Sequence, residues 1–347
     1  MTVSRPTVSQ GKHLPLLIRA GVGVLLGAAA VWWLLHAVDW RDTLVYLSGA
    51  SKPGLAAGLL LCAAGSFAGA VRWKLLLHGQ GVSARRLYVV QNTGLGADTL
   101  SPLRILSIPV QLFMLGERDR VPFATAFGSL SAKRLMDVLV NSALLLAGFL
   151  TVRSLWPALL VVLPAMGWNI LAWTGIVFMG RLGFGGRGAR MAGPAGVVGK
   201  RSGASARLGL ATLLTFMSWV CIGLGAWAAS QSMGAPLPIV AGVSIGVAGM
   251  VIAGALPGLP AALGTFELTF VYLAGMVGIG PAQALAAALC FHAMIIAPAV
   301  AVAVIALPKE VKSPAQIMAA YRRVASEVKG QLRPSLSAAH GSRLPED

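Results

Sequence analysis

Apolar residues fill this chain in long blocks, and polar residues collect in the gaps between them. The blocks run over residues 14–37, 54–77, 123–150, 156–179, 208–230, 237–256, 266–279 and 282–307. Most reach the ~20 residues that an α-helix needs to cross the hydrocarbon layer, and they lack the two-residue alternation of a barrel strand. The pattern predicts an all-α polytopic membrane protein with eight crossings. A further stretch, 88–115, is apolar but interrupted and reads as re-entrant: it enters the membrane and turns back.

Two interruptions stand out. Leu100-Ser101-Pro102-Leu103-Arg104-Ile105 breaks the first half of the chain, and the segment from Leu256-Pro257-Gly258-Leu259-Pro260 to Gly264-Thr265-Phe266-Glu267 breaks the second. A glycine-rich loop at 180–207 lies between the halves. A lone proline only kinks a membrane helix. A charged residue beside each of two matching breaks points instead to a cavity near the midplane between two inverted halves. Glu267 is the only Asp or Glu between Asp137 and Glu310, and an acid in such surroundings must face protein, water or a partner.

Composition sharpens the picture. With 56% hydrophobic and 11% charged residues, the chain departs from an ordinary soluble domain, whose charged share is about 25%. A formal charge of +17 would suggest nucleic acid in a soluble protein, but the basic residues here flank apolar blocks. Arg85 and Arg86 sit in the 78–87 loop, and Arg181, Arg187, Arg190, Lys200, Arg201 and Arg207 sit in the 180–207 loop without an acid. By the positive-inside rule both loops and both termini are cytoplasmic, and nucleic acid is not a partner. Arg5, Lys12 and Arg19 precede the first block, but no small-residue cleavage site follows it and Trp32, Trp33 and His36 close it, so it reads as a retained span. Cys62, Cys221 and Cys290 fall inside blocks with no metal-ligand spacing and read as packing residues.

The expected organisation is a short cytoplasmic N-terminus (1–13), a transmembrane domain (14–307) and a basic tail (308–347). In the tail Ile317, Tyr321, Val324, Val328 and Leu332 recur at three- and four-residue steps. That spacing fits a helix over 314–332 lying on the membrane, or a weakly ordered solvated tail.

Several motifs carry less than their letters suggest. Gly183-Phe184-Gly185-Gly186-Arg187-Gly188 has dinucleotide-loop spacing but no preceding strand, and Gly199-Lys200 lacks the first glycine and the Ser or Thr of a phosphate loop. No nucleotide site, cofactor or metal is expected. Gly242-Val243-Ser244-Ile245-Gly246 has nucleophile-elbow spacing and could pair with His292 in an intramembrane serine protease. Its flanks are continuous apolar helix, where glycines four apart serve close helix packing.

Arg134 and Asp137 share a helix face and are placed to pair beside Lys133. Arg72-Trp73-Lys74 ends the second block, with Trp73 expected in the headgroup layer and Arg72 deep enough to meet a phosphate. The deep cations Arg72, Arg104 and Arg134, with the lone anion Glu267, suit a phosphate-bearing or zwitterionic headgroup.

Arg72-Trp73, the stretch from Asn92 through Pro102 and Arg104, the run Lys133-Arg134-Leu135-Met136-Asp137, and Pro257 to Glu267 followed by His292 stand in an order that resembles the lysylphosphatidylglycerol-synthase transmembrane-domain family, the flippase-like membrane proteins. The resemblance covers most of 14–307. It implies a bacterial inner-membrane protein that moves lipid headgroups between leaflets, with Arg72, Asn92, Pro102, Arg104, Lys133, Arg134, Asp137, Pro260, Gly264, Glu267 and His292 as substrate-binding positions. Members with synthase activity carry a large soluble aminoacyl-transfer domain after the membrane part. Only 39 residues follow Pro308 here, so a stand-alone translocator is expected rather than an enzyme. Its partners would be membrane lipids, another copy of the chain, or a lipid-modifying enzyme. A non-catalytic membrane scaffold is the plainer alternative.

The chain also departs from the family pattern. Leu103 follows Pro102, Leu106-Ser107 stand where a glycine and an acid are usual, and Ala261-Ala262 replace a glycine pair in the second break. These exchanges leave the backbone less permissive and the first break less charged.

Overall fold

A computed structural model describes residues 14–101, 106–183, 204–255, 259–311 and Gln316. Every regular element among them is helical. In chain order these are α1 (Leu14–Ala37), α2 (Trp40–Ser48), α3 (Lys52–Leu76), α4 (Ala84–Leu100), α5 (Ser107–Phe113, continued by a π-helical turn Met114–Arg118) and α6 (Phe123–Thr151). After a 3-10 turn at Arg153–Ala158 follow α7 (Leu159–Gly183), α8 (Ala204–Ser232) and α9 (Ile239–Ala255). A 3-10 turn at Pro260–Ala262 then leads to α10 (Thr265–Met276) and α11 (Pro281–Glu310).

Local chemistry sets many of these boundaries. Ser51 caps α3, with Pro53 in its first turn, and Ser83 Oγ caps α4 by accepting from Arg86 N at 3.1 Å. Ser101 and Leu259 each precede a proline and are extended, the conformation that the following ring imposes. The 38–53 stretch, which reads as a loop from the sequence, holds α2: Asp39 caps it through Arg41 N and Asp42 N, and it turns away from α1 at 86°.

Contacts between loops sort the helix ends onto two faces. Ser51 N donates to Ser232 O at 2.9 Å and Gln283 Nε2 to Met233 O at 2.9 Å. The starts of α3, α9 and α11 and the ends of α8 and α10 therefore share one face. On the opposite face Arg86, near the start of α4, meets Asp119 just beyond the π-helical turn at 3.0 Å and Glu310 at the end of α11 at 2.5 Å.

The α4–α5 segment thus starts and finishes on the same side, as a re-entrant hairpin, in agreement with the reading of 88–115. The α9–α10 segment does the same from the opposite side. This corrects the expected count of eight crossings. α10 has 12 residues and α9 has 17, or about 18 Å and 25 Å of helix, too short for either to cross alone. Among the described residues five helices are long and apolar enough to span, and six with the bent α1–α2 pair counted. The parity is unchanged, because two presumed crossings become one hairpin.

The order helix, helix, hairpin, helix therefore occurs twice with opposite orientation: α1, α3, α4–α5, α6, then α7, α8, α9–α10, α11. α3 and α8, the equivalent helices, cross at the centre with small residues in contact. A Cβ on Gly65 would lie 2.6 Å from Ser218 O, and Ser218 Oγ donates to Gly65 O at 2.7 Å. The outer surface carries many large apolar side chains, with Leu25, Leu60 and Leu160 turned to the surroundings. That is the surface a lipid-embedded protein needs.

Candidate functional site

Two buried polar groups emerge from this frame. The first lies where α3, α4, α6 and α8 meet. Arg72 Nη1 donates to Asp137 Oδ1 at 2.6 Å and to Thr215 Oγ1 at 3.0 Å, and Trp219 Nε1 donates to the same Asp137 oxygen at 2.9 Å. Asp137 thus reaches across to two other helices, a link that its three-residue spacing from Arg134 does not foretell. Lys133 Nζ donates to Gln91 Oε1 at 2.5 Å and lies 4.6 Å from the centre of the Trp73 ring. Trp73 is wholly buried, with Nε1 donating to Ser129 Oγ at 3.0 Å. The headgroup-layer position expected for it is therefore wrong, because the Lys133 charge and the Ser129 hydroxyl hold the indole inside. Asn92 Nδ2 donates to Tyr88 O at 2.9 Å and to Ser66 Oγ at 3.3 Å.

The second group lies at the turn of the α9–α10 hairpin. Pro260 opens the 3-10 turn, and Ala261 and Ala262 follow with φ of 60° each, in the left-handed region that favours glycine. Gly264 follows with φ 85°, and a Cβ there would lie 2.8 Å from the Gly27 carbonyl oxygen of α1. Glu267 then folds back: Oε2 accepts from Gly264 N at 2.7 Å, closing the first turn of α10, while Oε1 meets His292 Nδ1 of α11 at 2.6 Å. Glu267 is 3% exposed. Its carboxylate answers to a helix terminus and an imidazole.

The end of α4 meets the turn of the second hairpin. Leu95, Asp98 and Thr99 of α4, Ala261 and Ala262 of the second turn, Phe266, His292, and Met250 and Ala253 of α9 line one cavity of about 50 Å³. It has room for a few water molecules but not for a lipid headgroup. Asp98, which does not figure among the candidates drawn from the sequence, mirrors Glu267: its Oδ1 accepts from Leu106 N at 3.1 Å and Ser107 N at 3.3 Å, capping the return helix of the first hairpin. The signal is an acid in a largely apolar segment close to a proline break, on the N-terminal side of the break where Glu267 lies on the C-terminal side.

The residues singled out from the sequence fall into two sets. Arg72, Lys133, Arg134 and Asp137 belong to α3 and α6 and Asn92 to α4, the first arm of the first hairpin; Pro260, Gly264, Glu267 and His292 belong to the second hairpin and α11. Pro102 and Arg104, Pro257, most of the 180–207 loop with its two false nucleotide motifs, and nearly all of the 314–332 segment lie outside the described residues. The Ser244–His292 dyad does not form. Ser244 Oγ donates to Val240 O of its own helix at 2.7 Å, Gly148 of α6 packs over it, and His292 Nδ1 is held by Glu267. The three cysteines are free, and no group of metal-binding side chains occurs among the described residues.

An all-α multi-pass membrane protein, built of two oppositely oriented halves whose re-entrant hairpins share a small cavity, is the class this architecture defines. The chain belongs to the family described as the lysylphosphatidylglycerol synthase TM region, whose model matches residues 21–303. That membership ties it to a lipid-related function in the membrane. No curated protein matches the chain.

Proposed function

We propose that this protein is a flippase-like transporter that moves a phospholipid or lipid-linked headgroup between leaflets. The observation that carries the reading is the meeting of two re-entrant hairpins, one from each face, at a cavity lined by Asp98 and by His292, whose Nδ1 is engaged by Glu267. Broken helices and ionisable side chains at membrane depth are expensive, and both persist where they line a transport path. Movement follows from alternately loosening one hairpin and then the other, so that the cavity opens to each face in turn. The cationic residues of the other buried group, Arg72, Lys133 and Arg134, make a headgroup that carries phosphate the favoured cargo.

We further place the face bearing Arg86, Arg118 and Glu310, with both termini, on the cytoplasmic side of the inner membrane, because the basic loops 78–87 and 180–207 open there. The test is a leaflet-specific quenching assay in proteoliposomes with fluorescently tagged phosphatidylglycerol. Wild type is expected to expose inner-leaflet probe to an external quencher, and Gly264→Val, which drives a side chain into Gly27 and Val31, to block that movement. Equal rates in wild type, variant and protein-free vesicles would overturn the reading.

A further inference from the structure

We propose that Asp98, His292 and Glu267 form a proton-binding site that clamps one hairpin or the other according to where the proton resides, so that headgroup movement is driven by protons. This rests on the transport reading above and adds its energy source.

The two acids do the same structural job in the two halves. Asp98 accepts from the first amides of α5 across the first break, and Glu267 accepts from Gly264 N across the second. An ionised carboxylate holds such amides more strongly than a protonated one, because the bond is charge-assisted and complements the positive helix terminus. Protonating either acid therefore slackens its own hairpin and leaves the other tight.

His292 stands between them. Its Nδ1 is engaged by Glu267 at 2.6 Å, and its ring lines the cavity that Asp98 also lines. The cavity is sized for a few waters, which suits a proton relay more than a substrate pocket. The step is a plain proton transfer: a carboxylate takes a proton from the water-filled side, becomes a neutral acid, and returns the proton to the other side when the cavity reopens. No other co-reactant is needed.

The described cavity lining around these groups is otherwise apolar apart from Thr99. α9 presents Met250 and Ala253, the next turn of α11 presents Ile295 and Ile296, and the second hairpin turn presents Ala261, Ala262 and Phe266. α1 meets Gly264 with Gly27 and Val31. Among the described residues that line the cavity, Asp98 and His292 are the titratable ones, with Glu267 directly behind the ring.

The experiment uses the full chain in vesicles of phosphatidylethanolamine and phosphatidylglycerol, with the tagged phosphatidylglycerol as probe. A gradient of one pH unit is expected to change the wild-type rate by up to about tenfold, the ratio for one coupled proton. In Glu267→Gln and Asp98→Asn the rate should no longer respond to the gradient. In parallel, infrared titration of the purified protein should show a carboxylic-acid band that Glu267→Gln removes and His292→Asn shifts. Wild-type movement that ignores the gradient would overturn proton coupling while leaving transport standing. No movement under any gradient would overturn both. An infrared band unchanged in both variants would overturn the site.

Discussion

Two buried carboxylate contacts among the described residues, Arg72–Asp137 and Glu267–His292, use similar chemistry in opposite settings. Arg72 and Asp137 lie on uninterrupted helices and are tied to a third through Thr215 and Trp219. Glu267 and His292 are comparably buried, but the acid sits one turn after a proline-broken loop and beside a cavity. A pair that bridges continuous helices fixes a frame. A pair that closes the base of a broken hairpin holds a part that can be released. Burial and charge alone therefore do not separate a fixed contact from a releasable one; the continuity of the backbone around the pair does.

The largest expected effect breaks the frame. Asp137→Ala strands the Arg72 guanidinium in the interior, and loss of one partner of a buried pair typically costs about 3–5 kcal/mol. Thermal unfolding in detergent should show a collapse in stability or no folded protein. Replacing both partners, Arg72→Met with Asp137→Leu, should recover most of that loss, since apolar packing replaces a buried pair at little net cost. If the single variant unfolds normally, the pair does not hold the frame.

Glu267→Gln should behave differently, and that contrast is the sharpest test of the comparison. Glutamine still caps through its amide oxygen, so the stability loss should stay within about 1 kcal/mol. Gradient-driven transport of the tagged lipid should nevertheless fall to background, because the charge that answers His292 is gone. A variant as unstable as Asp137→Ala would place both pairs in the frame.

A smaller gain in stability is expected at the second hairpin turn. Ala261 and Ala262 hold φ of 60°, a conformation that costs an L-residue roughly 1–2 kcal/mol. Glycine removes that strain but loses about 0.5–1 kcal/mol through the freedom of the unfolded chain. Ala261→Gly and Ala262→Gly should therefore each raise the melting temperature modestly, which a thermal scan of the purified variants would read. The equivalent substitution at Ala97, in the regular part of α4, should lower it.

Much of this architecture is legible in the blocks of apolar residues. Long segments such as 123–150 and 282–307 have one physical reading, and the prolines announce both breaks. The number of crossings is not legible, because a 12-residue apolar helix and the end of a longer span look alike until their contacts show which face they return to. Glu267 stands out by its isolation among apolar neighbours. Its partner does not, because His292 lies 25 positions away on another helix, and only the fold brings them to 2.6 Å. Trp73 misleads for a related reason: its position in the chain fits an interface, while Lys133 and Ser129 arrive from α6 to enclose it.

The smallest expected effect lies at the face where the first hairpin closes. Burial pushes the Asp119 carboxyl above its ordinary value, against the lowering influence of the nearby Arg86. The folded state therefore holds the Asp119 proton more tightly than the unfolded chain does. Its contribution to stability is greatest below the ordinary carboxylate value and declines as pH rises through the higher folded value. Asp119→Asn removes that titration, so the variant should lose less stability than wild type across this window. Melting temperatures measured from acid to neutral pH would show it as a flatter profile. Identical profiles would mean that Arg86 already balances the burial of Asp119, and that this end of the hairpin is held as firmly as the frame.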